Sequence, residues 1–155
     1  MFHEALNFTL MNEGGYSDDP QDKGGRTKWG ISQNAYPNVN ISEMKREEME
    51  TIYFNDYWNP LYSKLNNRLA VRLFDLGVNV GVRRAVKVLQ KTLNKHFDVL
   101  LKEDGAYGLI THRLITKNNQ QSVYSALVFE ASLYYSSLNQ PRFFKGWLNR
   151  LYKNI

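Results

Sequence analysis

A nearly continuous apolar stretch between positions 69 and 80 limits the possible folds more than any other feature of this sequence. Its apolar members are Leu69, Ala70, Val71, Leu73, Phe74, Leu76, Val78 and Val80. Arg68, Arg72, Asp75 and Asn79 follow at i, i+4, i+7 and i+11, which is one narrow stripe on a helix. The pattern predicts a buried central helix. Its polar stripe must pair internally or line a cleft.

Helical periodicity also dominates the rest of the chain. A first helix is predicted from Phe2 to Glu13, with Gly14-Gly15 ending it. A second helix is predicted to begin near Ser42, which suits an N-cap, and to stop at Asn59-Pro60. Further helices are expected around 82–93, after residue 111, through 127–138 and from residue 141. The predicted fold class is mainly α.

The segment from Tyr16 to Pro37 is the exception to this helical pattern. It is rich in glycine and aspartate, and only Trp29-Gly30-Ile31 suits a short strand or turn. We therefore predict a loop or small hairpin after the first helix.

Length and composition exclude several classes of protein. A chain of 155 residues suits one compact domain, and no apolar run approaches the ~20 residues of a membrane span, so no stable membrane insertion is expected. No helix-turn-helix, zinc or RNA-binding motif is recognisable, so we expect no nucleic-acid partner. His3, His96 and His112 lack metal-ligand spacing and cysteine is absent, so neither a metal nor a cofactor is expected.

The charge is unevenly distributed along the chain. Residues 1–75 hold 8 basic and 11 acidic side chains, and residues 76–155 hold 12 and 4, which gives −3 and +8. A basic half favours a polyanionic partner, such as nucleic acid, anionic lipid or cell wall, although it is equally compatible with a solvated basic surface.

Glu13 is the strongest candidate for a catalytic group. It extends the apolar stripe of the first helix and falls in the predicted last turn, where exposed carbonyls oppose ionisation. Burial on that face has the same effect, so both are expected to raise the pKa of Glu13. A carboxylic acid that stays protonated is what leaving-group protonation requires.

The segment after Glu13 supplies possible partners for this chemistry. Glycosidic cleavage usually needs a second carboxylate, and Asp22 is the best placed because Gly24-Gly25 lets the chain fold back. Thr27 is a candidate for holding a water molecule. Tyr16 and Trp29 are candidates for stacking on a sugar ring.

Several motifs together resemble the glycoside hydrolase family 108 muramidases. The first runs through Glu13-Gly14-Gly15-Tyr16, Asp19-Pro20, Asp22, Gly24-Gly25, Thr27 and Trp29-Gly30-Ile31. Phe74-Asp75, Val78-Asn79 and Gly81 resemble the family's central helix, and Phe144 to Arg150 resembles its closing motif. Val86–Leu93 and Asp104-Gly105-Ala106-Tyr107-Gly108 are similar to peptidoglycan-binding modules.

The resemblance implies a lysozyme-like fold without a cofactor. It implies a catalytic region at residues 1–80 and a helical peptidoglycan-binding region at 81–155, packed into the same compact domain. The implied reaction is hydrolysis of the β-1,4 bond between N-acetylmuramic acid and N-acetylglucosamine in peptidoglycan. We expect a monomer made in the cytoplasm without a visible signal peptide. It would act in the periplasm or cell wall after holin-type or dedicated release.

Three questions stay open at this point. The chain could be a lytic transglycosylase that gives 1,6-anhydro products, or a non-catalytic wall-binding module. Hydrolysis could invert or retain the anomeric configuration. Asp75 and Asn79 could bind substrate across the cleft from Glu13, or Asp75 could form an internal ion pair with Arg72 that fixes helix packing.

Overall fold

The computed structural model describes residues 1–13 and 25–155, and helices predominate in that part of the chain. Its α-helices are α1 (Phe2–Leu10), α2 (Arg46–Tyr57), α3 (Asn67–Val80), α4 (Val82–His96), α5 (Leu109–Lys117), α6 (Gln120–Ser137) and α7 (Pro141–Tyr152). A short 3-10 helix spans Pro60–Lys64, and two strands, β1 (Thr27–Lys28) and β2 (Ile31–Ser32), precede α2. The predicted mainly-α, lysozyme-like fold with a small hairpin is confirmed.

The central helix α3 lies where the apolar stretch predicts it. The side chain of Asn66 accepts a hydrogen bond from the backbone N–H of Arg68 and caps its N-terminus. Every residue from 69 to 77 is buried, and α3 packs against α1, α4 and α6. Gly81, at φ +89°, separates α3 from α4. The buried apolar side chains from α1 to α7 form one continuous core around α3.

The hairpin between α1 and α2 has a two-residue turn. Lys28 pairs with Ile31, so Trp29 and Gly30 alone form the turn. Both have positive φ, +51° and +79°, which is the backbone shape that matches the twist of two antiparallel strands. Ile31 is buried and anchors the hairpin on the core.

Two predicted helix boundaries were wrong. Helix α1 ends at Leu10, three residues before Glu13, where the side-chain amide of Asn12 donates to Phe8 O and the backbone N–H groups of Asn12 and Glu13 both donate to Thr9 O. Glu13 therefore lies in the turn that follows the helix. Helix α2 begins at Arg46, because the side chain of Glu48 accepts from the backbone N–H of Lys45 and caps the helix there.

Helix α7 closes the molecule against α6 and beside the end of α1. The rings of Tyr135 on α6 and Trp147 on α7 stack at a centroid distance of 5.3 Å. Leu151 is buried in the core, and Arg150 points towards α1 and α3. Residues that are far apart in sequence therefore meet at the ends of α1, α3 and α7. None of the described helices has the length and apolar composition that crossing a bilayer requires.

Candidate active site

An open cleft of about 630 Å³ lies where the ends of α1 and α3 meet α7. Its lining mixes amide, charged and aromatic side chains, and consists of Asn12, Glu13, Val78, Asn79, Gly146, Trp147, Asn149, Arg150 and Lys153. Among the described residues of this lining, Glu13 is the only carboxylate. The cleft therefore combines one acidic group with three amides and the cations Arg150 and Lys153, so its lining can both donate and accept hydrogen bonds.

Glu13 is held from one side by Arg150. Nη1 of Arg150 donates to Oε1 of Glu13 at 2.7 Å, a short charge-assisted hydrogen bond. The side chains of Glu13 and Arg150 are 21 % and 13 % exposed, so the pair is largely shielded but still reaches the cleft. No pattern in the sequence had indicated a cation beside the candidate acid.

The hairpin turn holds Glu13 from the other side. A Cβ at Gly30 would lie 2.9 Å from Oε2 of Glu13 and 2.9 Å from the hydroxyl of Tyr53, which is closer than real contacts allow. Tyr53 donates to the backbone carbonyl of Trp29 at 2.8 Å. Burial, and then the charge of Glu13, raise the pKa of Tyr53, so its hydroxyl stays protonated and keeps this bond.

Arg150 is itself anchored on Asp75 of α3. Its Nε lies 3.1 Å and its Nη2 2.9 Å from Oδ1 of Asp75, a two-pronged pairing of guanidinium and carboxylate. Burial lowers the pKa of Arg150, but the charges of Asp75 and Glu13 outweigh it, and the net shift is upward. Arg150 is therefore a permanent cation between two carboxylates.

The buried Arg72 also belongs to this network and contacts both Asp75 and the end of α7. Its Nη1 contacts Oδ2 of Asp75 at 3.4 Å, and it donates to the backbone carbonyls of Arg150 and Lys153 at 3.1 and 2.9 Å. Thr9 of α1 donates to Oδ1 of Asp75 at 3.1 Å. The network thus ties α1, α3 and the end of α7 together directly beneath the cleft.

The structure brings some of the predicted site residues together and separates others. Asn79 lines the same cleft as Glu13. Asp75 is buried in the ion-pair network, linked to Glu13 through Arg150, and is absent from the cleft lining. The internal Arg72–Asp75 ion pair, which was one of the two interpretations of the stripe, is present.

The remaining predicted residues lie on the hairpin or outside the described chain. Trp29 is half-buried with the ammonium of Lys28 4.6 Å from its ring centroid, and Thr27 donates to the backbone carbonyl of Gly25 at 3.2 Å. Tyr16 and Asp22 fall within 14–24, outside the described residues. Over the described ranges, no group of His, Asp or Glu side chains is arranged to hold a metal ion.

Sequence reasoning missed Arg150, Gly30 and Tyr53 as neighbours of Glu13. One signal for Arg150 was available, because it falls three residues after Trp147 and therefore lies beside it, at the edge of the apolar stripe of α7. An arginine on a buried face needs a carboxylate partner, and Asp75 on the central helix was the available candidate.

Comparison with known proteins supports a carbohydrate-cleaving enzyme. Residues 6–81 match the sequence model of the family described as Glycosyl hydrolase 108. This match supports a glycoside hydrolase, and it stops at the boundary between α3 and α4. The fold is similar to the structure of SagA from Brucella abortus, with a TM-score of 0.80 and 26 % sequence identity over 97 % of this chain and 88 % of that chain. Among curated proteins, no sequence match is found.

Proposed function

We propose that this protein hydrolyses the β-1,4 bond between N-acetylmuramic acid and N-acetylglucosamine in bacterial peptidoglycan, with Glu13 as the proton donor. The main support is the position of Glu13, whose carboxyl group reaches an open cleft lined by the amides Asn12, Asn79 and Asn149. Amide side chains both donate and accept hydrogen bonds, so they match the N-acetyl groups of both sugars. The family match supports cleavage of a glycosidic bond.

The network around Arg150 suggests how Glu13 is used. While Arg150 donates to Oε1, Glu13 accepts as a carboxylate, whereas proton donation requires the acid form. Because Nε and Nη2 of Arg150 are held by Asp75, the Nη1 contact can be released without leaving the arginine unpaired. We propose that the protonated Glu13 gives its proton to the glycosidic oxygen, and that the leaving sugar departs as a neutral alcohol.

The attacking group decides between two chemistries. Hydrolysis needs a water molecule at the anomeric carbon, and we propose Asp22 and Thr27 to activate and hold it, with Tyr16 and Trp29 contacting the sugars. A transglycosylase instead uses the 6-hydroxyl of the muramic acid and forms a 1,6-anhydro end. The two chemistries give different ends on the cut strand, so the products decide between them.

Digestion of purified peptidoglycan with mass analysis of the fragments tests the proposal. Hydrolysis gives reducing N-acetylmuramic acid ends, transglycosylation gives 1,6-anhydro ends lighter by one water, and a pure binding module gives no fragments. Action in the periplasm or cell wall, reached by holin-type or dedicated release, is part of the proposal.

The first prediction is that Glu13→Gln folds normally and loses cleavage by at least ~100-fold, because the amide keeps the shape of the side chain but cannot donate the proton. Cleavage rate and thermal unfolding are measured on the same preparation. Glu4→Gln, at an exposed position of α1, is the matched control and should cleave normally. Near-normal cleavage by the Glu13 variant would remove it from the mechanism.

A further inference from the structure

A second cavity of about 510 Å³ adjoins the cleft on the side away from Glu13. The two cavities share Asn79 and Trp147, so they are neighbouring sections of one groove. The second section is lined by Asn79, Val80, Gly81, Arg84, Tyr134, Tyr135, Leu138, Gln140 and Trp147. Six of these nine residues lie after residue 81, on α4, α6 and α7 or in the link between α6 and α7, and so beyond the part of the chain that matches the hydrolase family.

We propose that this second section, the Arg84 subsite, binds a sugar of the same glycan strand together with a carboxylate that the strand carries. The proposal rests on the proposed function, because it takes the strand cut beside Glu13 as the ligand. In this proposal Glu13 cleaves the strand, and the Arg84 subsite makes the protein bind an anionic strand more tightly than a neutral one.

The aromatic side of the subsite suits a sugar ring. Trp147 is partly exposed, and its plane is fixed by near-parallel stacking against Tyr135 at 23° and Phe143 at 26°. Tyr134 is also partly exposed in this cavity. Aromatic side chains fixed in this way offer rigid apolar contact area at low entropic cost, while the tyrosine hydroxyl and the Gln140 amide supply hydrogen bonds.

The charged side of the subsite suits a carboxylate. Arg84 is exposed in the first turn of α4, and in the described chain its side chain donates a single long hydrogen bond, 3.4 Å to the backbone carbonyl of Val80. A guanidinium has five N–H donors, so most of them face solvent or the cavity. The described lining contains no acidic side chain, and Gly81 at the positive end of α4 lies beside it.

The carboxylate on a peptidoglycan strand belongs to its lactyl-peptide stems, whereas an oligomer of N-acetylglucosamine has none. This difference makes the charge of Arg84 testable apart from the sugar contacts. Binding is measured by calorimetry with the Glu13→Gln chain, so that neither ligand is consumed. The two probes are soluble peptidoglycan strands with their stems and a neutral N-acetylglucosamine oligomer of similar length.

Arg84→Gln should weaken binding of the peptidoglycan strands about tenfold, since a hydrogen-bonded charge pair at a partly solvated site is worth about that factor. Its affinity for the neutral oligomer should be unchanged. Arg113→Gln is the matched control, because it removes the same charge from an exposed position of α5 that lines neither section of the groove. It should bind both probes like the parent chain.

Equal weakening of both probes would overturn the assignment of a carboxylate, and unchanged binding of the strands would overturn the subsite itself. The binding results can be interpreted even if the proposed hydrolase function is wrong. If the unsubstituted protein fails to cut peptidoglycan but Arg84→Gln still weakens strand binding selectively, the hydrolase proposal fails and the subsite stands.

Discussion

At the scale of single residues, the position of Glu13 depends on groups that leave it little freedom. Arg150 contacts one carboxyl oxygen at 2.7 Å, and a side chain at Gly30 would collide with the other. A reacting group held between a cation and a rigid turn loses little entropy when substrate binds. Gly30 is required there for two reasons, its positive φ and the space that a Cβ would take from Glu13 and Tyr53.

Gly30→Ala is therefore expected to reduce cleavage about 100-fold, since misplacing a reacting group by about 1 Å has an effect of that order. Peptidoglycan digestion rates are compared with Gly25→Ala, a control whose glycine also has positive φ, +68°, but whose added Cβ would make only ordinary contacts. The control should lose much less activity. Equal losses in both variants would attribute the effect to backbone strain and not to Glu13.

Some contacts of the candidate site could be predicted from the sequence, and others could not. The spacing of Arg72 and Asp75 on one helix allowed the ion pair as one of two interpretations, because contacts at i, i+3 follow from helix geometry alone. The contact between Glu13 and Arg150 spans 137 positions and depends on how α7 docks, which no local pattern encodes. The roles of Asp22 and Tyr16 remain predictions.

At the scale of elements, α7 is fastened to the rest of the fold by a mixture of apolar packing and buried charge. Leu151 and Trp147 supply the packing, while Arg150 places a cation beside the buried Asp75. Periodicity was sufficient to predict α7 and the central helix α3, since both show apolar faces at helical spacing. It was insufficient for the ends of α1 and α2, where side-chain hydrogen bonds of Asn12 and Glu48 decide the boundary.

Arg150→Met should lower the free energy of unfolding by roughly 3 kcal/mol, because it leaves Asp75 buried with one of its two cations removed. Chemical denaturation measures the loss. The double variant Asp75→Asn/Arg150→Met should lose less than the sum of the two single variants, because each single variant already loses the contact between Asp75 and Arg150 and the double variant loses it only once. Strict additivity would mean that the ion pair does not stabilise the docking of α7.

A histidine with a shifted pKa links α5 to the loop before it. His112 lies at the start of α5, and its Nδ1 is 3.1 Å from the hydroxyl of Tyr107. Burial, and then the charge of Lys64, lower the pKa of His112 below its ordinary value of 6.5. The unfolded chain therefore binds this proton at a higher pH than the folded chain does. Its contribution to stability is complete above pH 6.5 and declines as the pH falls below that value.

Thermal unfolding between pH 7.5 and 5.5 should reveal this decline in the parent protein and a weaker one in His112→Gln, which cannot take up the proton. His3→Gln, at an exposed position of α1, serves as the control and should follow the parent. If the His112 variant keeps the full pH dependence, another group is responsible for it.

At the scale of the whole molecule, the two halves of the sequence carry opposite net charges, −3 for residues 1–75 and +8 for residues 76–155. The positive excess of residues 76–155 includes exposed lysines on α4 and α5, among them Lys91 and Lys117. A surface of this kind raises the local concentration of a polyanion, and salt weakens the effect because the charges are exposed.

Charge reversal by Lys91→Glu/Lys117→Glu should therefore weaken co-sedimentation with purified cell walls at low salt and flatten its salt dependence. Lys91→Arg/Lys117→Arg keeps both charges and is expected to sediment like the parent. Unaltered low-salt binding by the reversed variant would assign wall retention to the groove and not to the surface charge.

The contact between Glu13 and Arg150 means that the cleft is complete only when α7 is in place. Glu13 follows the first helix and Arg150 lies on the seventh, so their contact forms only when α7 packs against the rest of the fold. Until then one wall of the groove is missing. The link between α6 and α7 is exposed at Asn139 and Gln140. A protease cut at this link would separate the segment that carries Arg150 from the segment that carries Glu13, so we expect cleavage activity to be lost there without any change in the composition of the core.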